Sequence, residues 1–424
     1  MRAGIKMKVD LERFFHKCAC GKEHSISVKE IYIEPGAVKR IPEVIKGYKN
    51  PVIVTDSKIL ASTKEALSSL YETIETSVIP GTEIHADDYF TEIAQNVIRK
   101  DADILIAVGA GTIHDLTRYT AYKRNIQFIS VPTAASVDGF VSVVAAMTWK
   151  GMKKTLPAVA PIYVFADTDI FGNAPMRLTA SGISDLMGKY TALLDWRAGH
   201  IVTGEYICEE IYDLEFEAVH QVEAVLSKIK DGERESMEKL MYALLLSGLA
   251  MQMIGNSRSA SGAEHHISHL LEMCIINEPI DALHGEKVSV GLILVLEYYE
   301  KIKEAIKADK CRVIDGRGFE TELLKDTFGK KGKYQEVLDE NNPNIMEELD
   351  LSKLREKLPD IARELDKLPA SKEMRLKLSQ AGCITTLKEL GISDELKDLI
   401  LKLSPYVRRR LTLMRIAKNL KLES

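Results

Sequence analysis

Over residues 29–164 short apolar runs alternate with longer stretches whose apolar positions recur at helical spacing. Ile31–Ile33, Pro51–Thr55, Thr76–Ile79, Ile104–Val108 and Gln127–Val131 read as strands. Lys58–Tyr71, Phe90–Lys100 and Ile113–Lys123, which lie between them, read as helices. Strands separated by helices of that length predict crossover connections and a parallel sheet. The period changes after Ile162–Ala166. Ile183–Ala198, Ile207–Ile229, Ser236–Met253, Ala263–Met273 and Gly285–Glu300 carry helical patterns, with almost no β-like run from Ser181 onward. The pattern therefore predicts an α/β domain over residues 1–172 and an all-helical domain over 173–424, the break falling in the turn-rich Gly172–Gly182 stretch around Asn173-Ala174-Pro175. Asp309–Asn344, charged and punctuated by Gly316, Gly318, Gly329, Gly332 and Asn341-Asn342-Pro343, reads as a solvated insertion without chemistry of its own.

Composition narrows the field of functions. The 424 residues suffice for two or three domains, and 57 basic against 62 acidic side chains leave no positive field for a nucleic-acid backbone. The longest apolar runs, Val141–Met147, Ala243–Leu249 and Val288–Leu296, stop well short of the roughly 18–20 residues a membrane span needs. Met1–Asp10 carries charges and no apolar signal core, so a cytoplasmic protein is expected. Six cysteines are too sparse for a disulfide scaffold. Cys18-x-Cys20 with His24 four residues on offers three metal-ligand types in one turn, but a fourth is missing, and a polar turn is the expectation there.

Candidate chemistry begins where Ile104–Val108 runs into Gly109-Ala110-Gly111-Thr112. Glycines at a strand-to-helix turn let backbone N–H groups approach a phosphate at the helix amino end, although the same glycines also serve tight packing. Asp56, directly after the strand Pro51–Thr55, can accept from a ribose diol and would repel a 2′-phosphate, which favours NAD over NADP; it can equally cap the next helix. Together they suggest a Rossmann-like dinucleotide domain. In the helical half, Ser261-Gly-Ala-Glu-His265-His-Ile-Ser-His269 sets His265 and His269 four apart on one helical face, and His284-Gly-Glu opens a further helix. Ser181-Gly-Ile-Ser-Asp185 places a carboxylate on another, with Lys189 one turn later. Imidazoles plus a carboxylate suit a divalent ion that keeps a position open for a substrate oxygen.

With these motifs in order, the chain resembles the superfamily of dehydroquinate synthases, glycerol dehydrogenases and iron-containing alcohol dehydrogenases, and within it the bacterial glycerol-1-phosphate dehydrogenases. Gly109-Ala-Gly111-Thr-Ile-His-Asp115, Pro132-Thr133-Ala-Ala-Ser136-Val-Asp138-Gly, Asp185, Ser261-Gly-Ala-Glu-His265-His and His284-Gly-Glu carry the superfamily likeness. Asn256-Ser257-Arg258, Lys189-Tyr-Thr-Ala-Leu-Leu-Asp-Trp196, Cys18-x-Cys20-Gly and Arg408-Arg-Arg-Leu-Thr412 carry the narrower one; Ser259 departs from it, standing where proline is expected. The resemblance implies a dehydroquinate synthase-like fold with Asp185, His265 and His284 as ligands of one zinc, nickel or iron ion. It implies His269 beside them contacting substrate or relaying a proton, and Asp138 and Lys189 completing the catalytic group. Gly109, Gly111, Thr112 and Asp115 would hold the pyrophosphate region, Thr133 and Ser136 the nicotinamide side, and Asp56 the adenosine ribose.

The reaction so implied is reversible hydride transfer between dihydroxyacetone phosphate and sn-glycerol 1-phosphate by a cytoplasmic homo-oligomer, dimeric or larger. A phosphate carries roughly −1.5 to −2 charges at neutral pH, so fixed cations are expected around it. Arg258 is the leading candidate, with Lys154 and Lys189 behind it; Lys154 also fits an exposed hairpin charge, and Lys189 an ion pair with Asp195. Two other activities share the fold. A dehydrogenase of unphosphorylated polyols or alcohols would lack the phosphate cations. A dehydroquinate synthase-like cyclase is disfavoured by Asp185, aligned where that enzyme has a metal-binding glutamate, and by a lysine four residues on instead of three.

Overall fold

The computed structural model describes residues 7–423, and inter-residue contacts divide the chain into two compact units. The first comprises Met1–Leu186 with Glu217–Asn256, the second Met187–Phe216 with Ser257–Ser424. The division expected at 172/173 thus falls later and is interleaved, because the stretch Glu217–Asn256 folds with the sheet rather than with its sequence neighbours.

In the first unit the strands are β1 (Met7–Lys8), β2 (Glu30–Glu34), β3 (Pro51–Asp56), β4 (Glu75–Ile79), β5 (Ile104–Gly109), β6 (Gln127–Pro132) and β9 (Tyr163–Asp167), with β7 (Val144–Trp149) and β8 (Met152–Pro157) forming a separate antiparallel hairpin. The main sheet runs β1-β2-β9-β6-β5-β3-β4, parallel throughout except for β1 at the edge. Its central strands are apolar on both faces, as a doubly covered parallel sheet requires. Ile104, Ile106 and Val108 enter one core with Ile53, Leu67, Leu70 and Val131, while Leu105 and Ala107 enter the other with Val54, Phe90, Ile113 and Leu116. The hairpin turn was read at Lys150–Lys154, but its two strands were not. Its turn, Lys150-Gly151 with φ of 51° and 75°, has the left-handed pair that two-residue hairpins need.

The order places a topological switch between β3 and β5, where the chain leaves for β4 and returns on the other side of β3. Ligands of open parallel sheets bind at the carboxyl ends of such strands. The register Val54↔Ala107 sets Asp56 level with Gly109, the last residues of their strands.

The second unit is helical apart from a short antiparallel pair, Cys311–Val313 with Leu420–Leu422. Its framework includes α1 (Lys189–Thr203), α2 (Ala263–Glu272) and α3 (His284–Lys307). Asp195 on α1 is fully buried and accepts from Tyr299 Oη of α3 at 2.5 Å, Leu413 N at 2.8 Å and Ala263 N at 2.7 Å, tying three distant segments together. The segment expected as a solvated insertion is built into this unit instead. Leu324, Phe328 and Val337 are buried, and Asn341 accepts from Arg415 Nη1 at 2.7 Å while donating to the Tyr406 carbonyl. Among the described residues no helix is long and apolar enough to cross a membrane.

Candidate active site and metal centre

In the first unit, β5 delivers Gly109 into a helix spanning Gly111–Arg124 that has no side-chain cap at its amino end. Its first N–H groups are therefore unmatched by any side chain of the N-cap residue, Ala110. Gly109 has a steric duty too, since a Cβ there would lie 2.6 Å from Cβ of Ile113. Gly109→Ala is expected to cost about 1–3 kcal/mol by overpacking, read as a lower urea midpoint, and NADH affinity measured on the folded variant should fall with it. Thr112 lies in the first turn of that helix, and Asp115 follows it, 3.6 Å from Arg118. Asp56 caps the next helix, one oxygen accepting from Ile59 N at 2.9 Å, so the capping role is realised at the switch point.

The loop after β6 carries Thr133, Ser136 and Asp138, all buried. The helix Met176–Met187 comes close to this loop because residue 182 is glycine. A Cβ there would sit 2.0 Å from the Ala135 carbonyl oxygen. This approach lets Ser181 Oγ donate to the Ser136 carbonyl at 3.2 Å and the Asp138 N–H donate to Asp185 Oδ2 at 2.9 Å. The Asp138 carboxylate accepts from Ser247 Oγ at 3.1 Å. Asp185 is thus buried and oriented within the sheet unit. Lys154 lies on the hairpin, paired in register with Met147.

In the second unit His265, His269 and His284 converge. Ring centroids are 6.1 Å apart for His265 and His269, 5.3 Å for His265 and His284, and 5.8 Å for His269 and His284. Two carboxylates not singled out in the sequence reading set their orientation. His265 Nδ1 lies 2.7 Å from Glu264 Oε1, and His284 Nδ1 lies 2.7 Å from Glu272 Oε1. With Nδ1 as donor in each, Nε2 is the nitrogen left to ligate a cation, the arrangement in which a carboxylate fixes the tautomer of a metal-binding imidazole. Burial pushes the Glu264 carboxyl up, but the His265 imidazole, Thr191 Oγ1 and the Gly262 N–H outweigh it and hold the group below the usual carboxylate range. The donor set therefore fits a divalent ion. Glu272→Gln should weaken zinc binding about 10–100-fold in a competition titration with a chromogenic chelator, with the helical circular dichroism unchanged. Glu264 adjoins His265 in the sequence, but Glu272 and His284 meet only when α2 and α3 pack.

Lys189, at the start of α1, is fully buried. Arg258 has a structural assignment. Its guanidinium is buried and donates to both oxygens of Glu205, at 2.7 and 2.9 Å, and to the Asp195 and Leu411 carbonyls at 2.9 and 2.8 Å. The fork expected to grip a phosphate is thus bound to its own unit. Ser259, the departure from proline, is buried with its hydroxyl donating to Glu215 Oε1 at 2.8 Å.

Residues 32–175 match the iron-containing alcohol dehydrogenase family. The chain is 33% identical over 402 residues to a protein of Geobacillus stearothermophilus named glycerol-1-phosphate dehydrogenase (NAD(P)+), with 91% of each chain covered. It is 32% identical to a protein of the same name from Halalkalibacterium halodurans, covering 95% of this chain and 96% of that one. The chain belongs to the glycerol-1-phosphate dehydrogenase family. Among solved structures, the NADH-dependent butanol dehydrogenase A of Thermotoga maritima superposes with a TM-score of 0.61 at 15% identity over 92% of each chain, a likeness of fold. The dehydroquinate synthase-like architecture expected from the motifs agrees with that fold.

Proposed function

We propose that this protein is an NAD-dependent, metal-dependent sn-glycerol-1-phosphate dehydrogenase that interconverts dihydroxyacetone phosphate and sn-glycerol 1-phosphate. The observation that carries the reading is the pair of carboxylate-backed imidazoles, His265 on Glu264 and His284 on Glu272, in a chain related over nine-tenths of its length to proteins named for that activity. In this reading Asp185, His265 and His284 hold one divalent ion, for which zinc, nickel and iron all suit two imidazoles and a carboxylate. When bound, such an ion supplies Lewis-acid polarisation of a ketone, and the nicotinamide supplies the hydride.

The chain's own residues then have defined duties. The Asp138 N–H orients the Asp185 carboxylate, and Glu264 and Glu272 lock the two imidazoles. His269, beside both imidazoles, passes the proton to the product oxygen, directly or through water. Asp138 faces the substrate hydroxyls, and Lys189 assists it. The helix amino end at Gly111, with Gly109, Thr112 and Asp115, receives the pyrophosphate region. Thr133 and Ser136 line the nicotinamide side. The second oxygen of Asp56 takes the adenosine ribose, which favours NAD over NADP. Lys154 is the phosphate cation this reading retains from the first unit. Arg258 supports it indirectly by holding the turn before α2. The working form is a homo-oligomer.

Dihydroxyacetone phosphate and NADH, supplied to purified protein with zinc, nickel or iron in turn, should yield sn-glycerol 1-phosphate of a single configuration. Equal rates with dihydroxyacetone would move the assignment to an unphosphorylated polyol dehydrogenase. No net NADH consumption with dihydroxyacetone phosphate would move it to a cyclase, which uses the nicotinamide only transiently.

A further inference from the structure

The turn Cys18–His24 is outside everything assigned above, and its geometry is that of a metal ligand set. Cys20 Sγ lies 3.2 Å from His24 Nε2, and Cys18 Sγ lies within 4.8 Å of both. A tetrahedral zinc ion, about 2.3 Å from sulfur and about 2.0–2.1 Å from nitrogen, would separate such a pair by roughly 3.5 Å. The backbone is wrapped to favour thiolates. The Cys20 N–H points to Cys18 Sγ at 3.4 Å and the Lys22 N–H to Cys20 Sγ at 3.4 Å. Donors aimed at a sulfur stabilise its charged form. Gly21, at φ +82°, closes the turn with its N–H on the Cys18 carbonyl at 3.1 Å, a conformation a side chain would strain. On the imidazole, Nδ1 lies 2.7 Å from the Met253 carbonyl oxygen, which can only accept, so the proton sits on Nδ1 and Nε2 is left facing Cys20. A backbone carbonyl behind a histidine is a recurrent support for a metal ligand.

We propose that Cys18, Cys20 and His24 bind a soft divalent cation of the zinc class, a structural site separate in chemistry from the oxygen- and nitrogen-ligated ion of the dehydrogenase reading. Binding releases the two thiol protons and leaves the fourth position to a ligand outside the turn, since structural zinc is four-coordinate. Thiolates select zinc over magnesium or calcium. The site's mechanical effect follows from its neighbours. His24 is hydrogen-bonded to the carbonyl end of the helix Arg234–Ile254, and the Ser27 N–H donates to Gln252 Oε1 of the same helix at 2.7 Å. A cation held by the turn therefore clamps residues 18–27 to the helix that also supports the loop after β6 through Gln252 Nε2 on the Val141 carbonyl.

The test is cobalt substitution of the full-length protein. Co2+ added to the metal-stripped wild type should give intense thiolate-to-cobalt charge-transfer absorption in the near ultraviolet, of a strength matching two thiolates, or three where a further cysteine completes the site. Cys18→Ser/Cys20→Ser should abolish that absorption and carry one metal equivalent less by elemental analysis. His265→Ala should leave the absorption untouched, which separates this site from the proposed catalytic ion. Absence of the charge-transfer band from correctly folded wild type, equal metal content in wild type and the double serine variant, or a Cys18–Cys20 disulfide found by mass spectrometry would each overturn the proposal.

Discussion

His265→Ala is expected to lower kcat for reduction of dihydroxyacetone phosphate by about 10³-fold while NADH binding, followed by quenching of protein fluorescence, stays within a few-fold. The size follows from the chemistry lost. Lewis-acid stabilisation of a developing alkoxide is worth several kcal/mol, and each 1.36 kcal/mol is a factor of ten in rate. The selectivity follows from placement, because His265 lies on α2 of the helical unit, whereas the glycine turn and Asp56 belong to the sheet unit. The variant also uncouples Glu264. That carboxylate stays buried with Thr191 and the Gly262 N–H as partners but loses the imidazole that holds it ionised, so part of the effect will be a local rise in its proton affinity. Elemental analysis should show the metal leaving with the activity. A metal-free His265→Ala protein that turns over normally would end the Lewis-acid account.

The sheet was legible because its strands are buried on both faces, so Ile104–Val108 shows as an uninterrupted apolar run and Phe128–Val131 as one broken only by Ser130. Helix ends were not. Lys58–Tyr71 reads as one helix, yet the structure holds two, Ser57–Thr63 and Ser68–Thr73, because Thr63, Leu67 and Leu70 keep one buried face across the break. Ile183–Ala198 likewise spans Gly188, where one helix ends and the next begins. A boundary drawn along the chain cannot express a segment that returns to the first unit, as Glu217–Asn256 does. At the site, residue types with intrinsic metal affinity stood out from spacing alone, whereas their supports did not. Glu272 meets His284 across two helices, and Arg258 meets Glu205 from 53 residues away, so a cation read as a phosphate ligand also has an internal carboxylate partner. Charge alone announces neither partner.

The largest pH effect on stability is expected from Asp195. Burial and the nearby Glu264 carboxylate push its pKa up to about 7, against the pull of Tyr299 and the Leu413 and Ala263 N–H groups. The folded protein thus keeps a proton that the unfolded chain, with an ordinary aspartate, releases near pH 4. The unfolded state binds fewer protons across this window, so the stabilising contribution is complete below about pH 4, drains away as pH rises, and is gone above about 7. A shift of that size corresponds to on the order of 4 kcal/mol. In Asp195→Asn that slope should vanish. His266 titrates well below its ordinary value because it is buried among arginines, and destabilises both proteins alike on acidification, so it cancels in the difference. Glu264, held low, contributes only below the carboxylate range. Urea unfolding of the two proteins at half-unit steps from pH 4.5 to 8 should show the stability of the wild type falling relative to that of the variant as pH rises, and a constant difference would show that Asp195 is ionised throughout. The two carboxylates are driven apart by one another, Glu264 charged and Asp195 protonated, which is how a buried acid pair can keep a full negative charge on the oxygen that holds His265 Nδ1.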